Sequence, residues 1–513
     1  MTLRIKLTRL SVAYFNITEF KNKYYIICEV SFLFNCLVKG NNYCNLYNGE
    51  WIGATKTIDI FSPIDNTLMG TVPSMTKEDI DKTIENSKVS QIKWAETPIS
   101  ERAKILHTAA SILDERAEEI GRILMTEIAK DIKSSISEVK RTAEFIRFTA
   151  DAGKHMDGEA IGADNFPGFK KNKMSFAQRV PLGVVLAISP FNYPINLSAS
   201  KIAPALIAGN SVILKPPTQG AISALHLAKV FQEAGVPNGV LNTVTGKASE
   251  IGDYIVTKEE INFINFTGST DIGKHIAKIA GMVPMMLELG GKDAAIVLKD
   301  ADLDEAAREI VSGAYSYSGQ RCTAIKRVLV TEDVADTLVS KMLENVKNLS
   351  VGRPEDGCEV TPLISEASVK FVKELIDDAL NKNATLLIGN TCEGNLMYPT
   401  LIDNVTTDMK LAWEEPFGPV LPIIRVKDID EAIYIANKSQ YGLQSSVFTQ
   451  NINHAFYVAN KLEVGTVQIN NKSERGPDHF PFSGVKASGM GTQGIRYSIE
   501  AMSRLKSIVL NID

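Results

Sequence analysis

Between residues 184 and 469, short apolar runs rich in β-branched residues alternate with helical stretches, and this alternation limits the fold more than any other feature. The runs at 184–189, 211–214, 241–244 and 261–266 are separated by helix-like segments such as 199–208 and 224–234. A second series follows at 294–298, 327–331, 385–388, 420–424, 445–448 and 465–469. Strands that are apolar on both faces, with helices between them, belong to parallel sheets covered on both sides. Two α/β units in succession are expected. Upstream, Leu106, Ala109, Leu113, Ala117, Ile120, Leu124 and Ile128 recur at spacings of three and four, the pattern of one amphipathic helix. No repeat, low-complexity tract or long linker interrupts the chain, so the units should pack closely.

Composition narrows the function. The 513 residues carry a net charge of −5, which leaves no basic footprint for nucleic acid. Six cysteines in a chain this long cannot form a disulfide framework, so reduced thiols and a cytoplasmic protein are expected. The six histidines are scattered, without CxxC or HExxH partners, and no metal site is expected. Residues 1–50 differ from the rest. They lack Asp, Pro and Gln and carry six Lys/Arg against three Glu. The apolar run at 24–38 follows basic residues, but it contains Glu29 and Asn35 and falls short of the ~20 residues a spanning helix needs, so no membrane role is expected. The segment reads as a poorly ordered extension, with the working fold beginning near residues 47–53.

Several segments carry chemistry. The run 261–266 enters Thr267-Gly268-Ser269-Thr270 and then a helix, a turn whose free N–H groups suit a phosphate. Gly268 to Lys274 also fits GxxxxGK, the start of a nucleoside-triphosphatase loop, although His275 stands where such a loop carries Ser or Thr. Lys215 ends an apolar run and is followed by Pro216 and Pro217, placing an ammonium at a strand's carboxyl end. No acid follows that could accept a ribose 2′-hydroxyl, which suits a 2′-phosphate. Cys322 lies beside Arg321, a cation that favours the nucleophilic thiolate. Glu288 sits between Leu287 and Leu289, where desolvation raises a carboxyl towards the range of a general base. Asn192, on a proline-pinned turn, offers an amide to an oxyanion. Each has a plainer counterpart: a strand–helix turn, a surface lysine, a core cysteine, a glutamate paired with Lys292 or another cation, and a turn-forming asparagine.

Taken together, PFNYP (190–194), LKPPT (214–218), FTGSTDIG (266–273), LELGGK (287–292), GQRC (319–322) and EEPFGP (414–419) resemble the aldehyde dehydrogenase superfamily over nearly everything from about residue 50 onward. The resemblance implies an α/β fold with a Rossmann-like cofactor domain (51–155 and 179–289) and an α/β catalytic domain (290–485). It also implies a small β flap for oligomerisation (156–178 and 486–513) and a homotetramer built as a dimer of dimers. It implies a nucleophile at Cys322, an oxyanion donor at Asn192 and a water-activating base at Glu288. The cofactor positions it implies are Lys215, Thr218, Gly268, Ser269, Leu289, Glu415 and Phe417. Many members carry a glutamate where this chain has Thr218, and that departure favours NADP, with NAD possible.

Within the superfamily, Tyr193, KPPTQG (215–220), Arg321 before Cys322, and RGPDHFPF (475–482) are most similar to the non-phosphorylating glyceraldehyde-3-phosphate dehydrogenases. That branch implies a small phosphorylated aldehyde held by Arg141, Tyr193, Arg321 and Arg475, arginine forks being suited to phosphate. It also implies oxidation of D-glyceraldehyde 3-phosphate to 3-phosphoglycerate through a cysteine thioester hydrolysed by water. A semialdehyde dehydrogenase binding a substrate carboxylate is the rival within the class, and a catalytically silent binding relative is the rival outside it.

Overall fold

The computed structural model describes residues 37–512. Most of the first fifty residues, including most of the apolar run at 24–38, lie outside the described residues. Among the described residues no helix is long and apolar enough to cross a membrane.

Five parallel strands and one antiparallel strand form the first sheet, in the order Leu241–Thr243, Ser211–Lys215, Val184–Ile188, Ile261–Thr267, Met285–Glu288, Gly489–Met490. The chain enters at Val184–Ile188, builds outward to Leu241–Thr243, then returns to the other side of its starting strand. The order therefore reverses between Val184–Ile188 and Ile261–Thr267, and a crevice opens beyond their carboxyl ends, the usual ligand position in such sheets. Strand Val184–Ile188 is buried almost throughout and Ser211–Lys215 entirely, as their unbroken apolar character requires. Helices Asn196–Ile207 and Ala221–Glu233 cross between these strands, and helices Lys77–Glu96, Ile99–Glu115, Ala117–Ile128 and Ile132–Gly153 complete the unit.

The second sheet has seven strands in the order Thr385–Ile388, Thr400–Asp403, Val420–Val426, Arg327–Thr331, Ala294–Val297, Gln444–Phe448, Thr466–Ile469. All neighbours are parallel except the pair formed by the first two strands. A third, antiparallel sheet joins Glu159–Gly162, Lys173–Pro181 and Ser503–Asn511.

Three expectations change. Residues 37–50, expected in the extension, belong to the fold. Leu37, Cys44 and Leu46 are buried, the Leu46 N–H donates to Thr243 Oγ1 at 2.8 Å, and Asn45 Nδ2 donates to Thr245 Oγ1 at 2.8 Å. Polar pairing to the outermost strand of the first sheet and the residues just after it, invisible to hydrophobic periodicity, holds them. The segment 486–513 is divided rather than uniform: Gly489–Met490 completes the first sheet, helix Ile495–Ala501 packs on helices Ile132–Gly153 and Asn196–Ile207, and only Ser503–Asn511 reaches the third sheet. The single helix expected across 106–128 breaks at Arg116, which leaves helical geometry (φ −99°, ψ 14°) and pairs with Glu233 at 2.8 Å. Apolar spacing runs unbroken through that kink, so periodicity alone could not show it.

Candidate active site

The loops beyond the carboxyl ends of the first sheet meet the loop that carries Cys322. Helix Leu303–Tyr315 ends in a tight turn whose Tyr317 (φ 51°), Ser318 (φ 53°) and Gly319 (φ 70°) all lie in the left-handed region. Non-glycine residues there are strained, and the surroundings hold them. Ser318 Oγ donates to Thr361 O at 2.7 Å and accepts from Thr361 N at 2.8 Å. A Cβ on Gly319 would come within 2.4 Å of Gly418 O. The turn aims Cys322 into the crevice, where it is partly accessible.

Asn192 is buried on the turn after Val184–Ile188, and its Nδ2 donates to Gln320 O at 3.0 Å. An amide nitrogen has two hydrogens, so one N–H remains for an oxygen bonded at Cys322. Glu288 is buried at the end of Met285–Glu288. Its Oε2 accepts from Thr267 Oγ1 at 3.2 Å and faces Arg475 Nη1 at 3.4 Å, while its Oε1 has no partner. The cation opposite Glu288 is thus Arg475 and not Lys292. A thiol, an amide donor and a carboxylate with one uncommitted oxygen can together carry out attack on a carbonyl, hold the oxyanion, and activate water.

The expectation that Arg321 favours the thiolate is corrected. Arg321 Nη2 donates away from the thiol, to Gly313 O at 2.6 Å. Burial pushes the Cys322 thiol up to about 11; Lys326 opposes this, and Glu288, Asp293 and Glu415 add to it. Lys326, four residues on, donates to the Cys322 carbonyl and stands 3.3 Å from Glu415. The sequence reading passed over this lysine, and over buried Lys201, whose Nζ donates to Thr267 Oγ1 at 2.7 Å and so reaches Glu288 through that hydroxyl. A lone lysine inside the apolar stretch 199–208 was the available signal. Gln493 was also passed over; its Oε1 accepts from Arg475 Nη2 at 2.5 Å.

The expected phosphate-facing residues divide into two groups. Arg321 keeps a buried Nε without a partner, and Arg475 lies over the Phe482 ring at 4.9 Å. Arg141, from helix Ile132–Gly153, closes its fork on Asp478 at 2.8 and 2.9 Å and also donates to Arg475 O at 2.8 Å. Arg141 and Tyr193 line a cavity of about 390 Å³.

The cofactor positions pass a direct test of fit. Lys215 is buried at the end of Ser211–Lys215, and burial alone pushes its ammonium down to about 8, with no opposing carboxylate. A buried, uncompensated cation is a seat for an anion such as a 2′-phosphate. Thr218 is exposed just beyond it. Helix Thr270–Ile279 begins after Gly268 and Ser269 with no side-chain cap, leaving its first N–H groups to a ligand. Gly273 lies buried inside this helix against Leu289, while Lys274 points outward and His275 bonds Asp253 at 2.9 Å, so GxxxxGK forms no triphosphate loop. Glu415 accepts from Gly291 N at 3.0 Å, close against Gly290, where a Cβ would lie 2.2 Å from its Oε2. Phe417 (φ 49°) stacks edge-on with Phe191, centroids 5.9 Å apart.

The chain resembles known proteins over most of its length. The aldehyde dehydrogenase family matches residues 51–508. The NADP-dependent glyceraldehyde-3-phosphate dehydrogenase of Streptococcus equinus is 57% identical over 470 residues, 92% of this chain and 99% of that one. The enzyme of the same name from Nicotiana plumbaginifolia is 49% identical over 480 residues, 93% of this chain and 97% of that one. The crystal structure of NADP-dependent glyceraldehyde-3-phosphate dehydrogenase from Bacillus halodurans C-125 complexed with NADP superposes with a TM-score of 0.91 at 52% identity, covering 92% of this chain and all of that one. On the family match, the relatives and the site geometry alike, the chain belongs to the aldehyde dehydrogenase family.

Proposed function

We propose that this protein oxidises D-glyceraldehyde 3-phosphate to 3-phosphoglycerate with NADP, without taking up inorganic phosphate. The observation that carries the reading is the buried Asn192 amide bonded to the loop of Cys322 through Gln320 O, with Glu288, whose charge acts on the thiol, facing Arg475. The names of the relatives at 57% and 49% identity support the same substrate and coenzyme.

Cys322 Sγ, once deprotonated, attacks the aldehyde carbon, and the oxyanion takes the free Asn192 N–H and the Cys322 backbone N–H. Bound NADP supplies the hydride acceptor for the oxidation to a thioester. Glu288 then takes a proton from water, whose hydroxide displaces the Cys322 thiolate and releases the acid. Lys215, with Thr218 beside it, would hold the 2′-phosphate, and Gly268 and Ser269 would meet the pyrophosphate. Glu415, with Leu289 and Phe417, would hold the nicotinamide ribose. Arg321 and Arg475 hold the substrate phosphate, with Tyr193 and Arg141 at the mouth.

The same reading places the enzyme in the cytoplasm, in keeping with free thiols at Cys322, Cys358 and Cys392. It makes the enzyme a homotetramer assembled through the third sheet, whose edge strand Ser503–Asn511 exposes Leu505, Ile508, Val509 and Leu510. The test is NADPH formation from D-glyceraldehyde 3-phosphate in phosphate-free buffer, compared with succinate semialdehyde. Strong preference for the phosphorylated aldehyde is expected, and better turnover of the semialdehyde would overturn the substrate assignment.

A further inference from the structure

A buried ion pair that none of these steps uses lies beside the cavity that Arg141 and Tyr193 line. Lys130, in the short connection between helices Ala117–Ile128 and Ile132–Gly153, is 1% exposed, and its Nζ is 2.6 Å from Glu138 Oε2. The other Glu138 oxygen accepts the N–H groups of Ile195 and Asn196, both at 3.1 Å, at the start of helix Asn196–Ile207. The ammonium of Lys130 also lies against two aromatic rings, 3.5 Å from the centroid of Tyr193 and 4.8 Å from that of Tyr317. These rings meet edge to face, centroids 6.1 Å apart. Tyr193 adjoins the oxyanion donor Asn192, and Tyr317 belongs to the left-handed turn that leads to Cys322.

Two loops distant in sequence, one bearing the amide and the other the thiol, are therefore clamped to one cation. A cation set against two aromatic rings is attracted by their quadrupoles, and its pairing with Glu138 fixes it further. The strained turn at Tyr317 and Ser318 needs such an external hold. We propose that Lys130, with Glu138, is a positioning residue that sets the Asn192 amide against the Cys322 thiol. The inference rests on the reaction assigned above to Cys322 and Asn192.

Lys130→Met combined with Glu138→Gln removes both charges and keeps an oxygen for the Ile195 and Asn196 N–H groups. Rapid mixing would follow the first-turnover burst of NADPH with D-glyceraldehyde 3-phosphate and with unphosphorylated glyceraldehyde, and fluorescence titration would follow NADP binding. NADP affinity should stay within about twofold, while the burst slows about tenfold for both aldehydes, the scale of a small misplacement of reacting groups. Lys130→Arg, which keeps the charge and the pair, should recover most of the rate. Tyr317→Leu removes one ring and leaves the ion pair, so it carries the test alone if the double variant does not fold; a similar slowing is expected. An undiminished burst in a folded variant overturns the proposal. So does a loss confined to the phosphorylated aldehyde, which would make Lys130 a phosphate ligand. Absence of any burst in the unaltered enzyme would instead sink the reaction assignment, and this inference with it.

Discussion

Cys322 keeps its proton at neutral pH in the free enzyme. With the thiol pushed up to about 11, the thiolate share at pH 7 is on the order of one in ten thousand. Alkylation by iodoacetamide should therefore climb steadily from pH 7 to pH 10 without levelling near 9. Lys326→Met, which removes the cation opposing that upward push, should slow alkylation several-fold at fixed pH. Glu288 acts in the other direction, since its charge holds the thiol up. Glu288→Gln should thus preserve the burst of NADPH while steady-state turnover falls by about 100-fold or more, the scale of a lost general base; an unchanged steady state would remove Glu288 from the hydrolytic step. Lys215 sets a second pH dependence. Its ammonium discharges as pH rises through about 8, and a 2′-phosphate binds the charged form, so the Kd for NADP should rise above pH 8 while that for NAD stays flat. Lys215→Met should weaken NADP by about 10- to 100-fold, as charge-assisted hydrogen bonds are worth roughly 1.5–3 kcal/mol, and leave NAD nearly unchanged. Cys322, Asn192, Glu288 and Lys215 can be singled out in the sequence as candidates, each weakly alone and together through the motifs around them. Lys201, Lys326 and Gln493 cannot, because their meaning lies in what folding brings beside them. Even the effect of Arg321 depended on which way its side chain turned.

Strands were the most legible elements where both faces are apolar. The runs at 184–189, 211–214 and 327–331 match the observed Val184–Ile188, Ser211–Lys215 and Arg327–Thr331 within a residue. Met285–Glu288 and Thr400–Asp403 escaped the reading. Each is four residues long, and the first is cut off by Gly290 and Gly291, the second by Pro399 before it. The N-terminal strands escaped for a different reason: Asn45–Tyr47 and Glu50–Ile52 dock through side-chain polar bonds, among them Trp51 Nε1 to Gln232 Oε1 at 2.7 Å. Leu46 is 2% exposed in that hairpin, and Leu46→Ala should cost about 2–5 kcal/mol through the lost burial and the cavity left behind. The shift of the urea midpoint measures it. A cost under 0.5 kcal/mol would show that the hairpin is a passenger on the sheet.

At the scale of the whole molecule, the two-unit α/β plan was readable from the alternation of strands and helices, while the third sheet was known only through family resemblance, because Ser503–Asn511 is exposed along nearly its whole length. An exposed edge strand of nine residues that includes Leu505, Ile508, Val509 and Leu510 invites pairing with another chain. Ile508→Asp with Leu510→Asp, two changes on one face of the strand, should reduce the sedimenting species below the tetramer, and a tetramer unaffected by both would move the assembly surface elsewhere. The final strand of the first sheet has a consequence in time. Strand Met285–Glu288, which ends in the proposed hydrolytic base, pairs on its outer side with Gly489–Met490, through Leu287 with Met490 and Glu288 with Gly489. About 200 residues separate these partners, and at roughly 5–20 residues per second a ribosome needs on the order of 10–40 seconds to travel between them. Throughout that interval the nascent sheet has an open flank at the position of its future base. Every copy is thus assembled with this flank ajar, and it closes only when the strand Gly489–Met490 has been made.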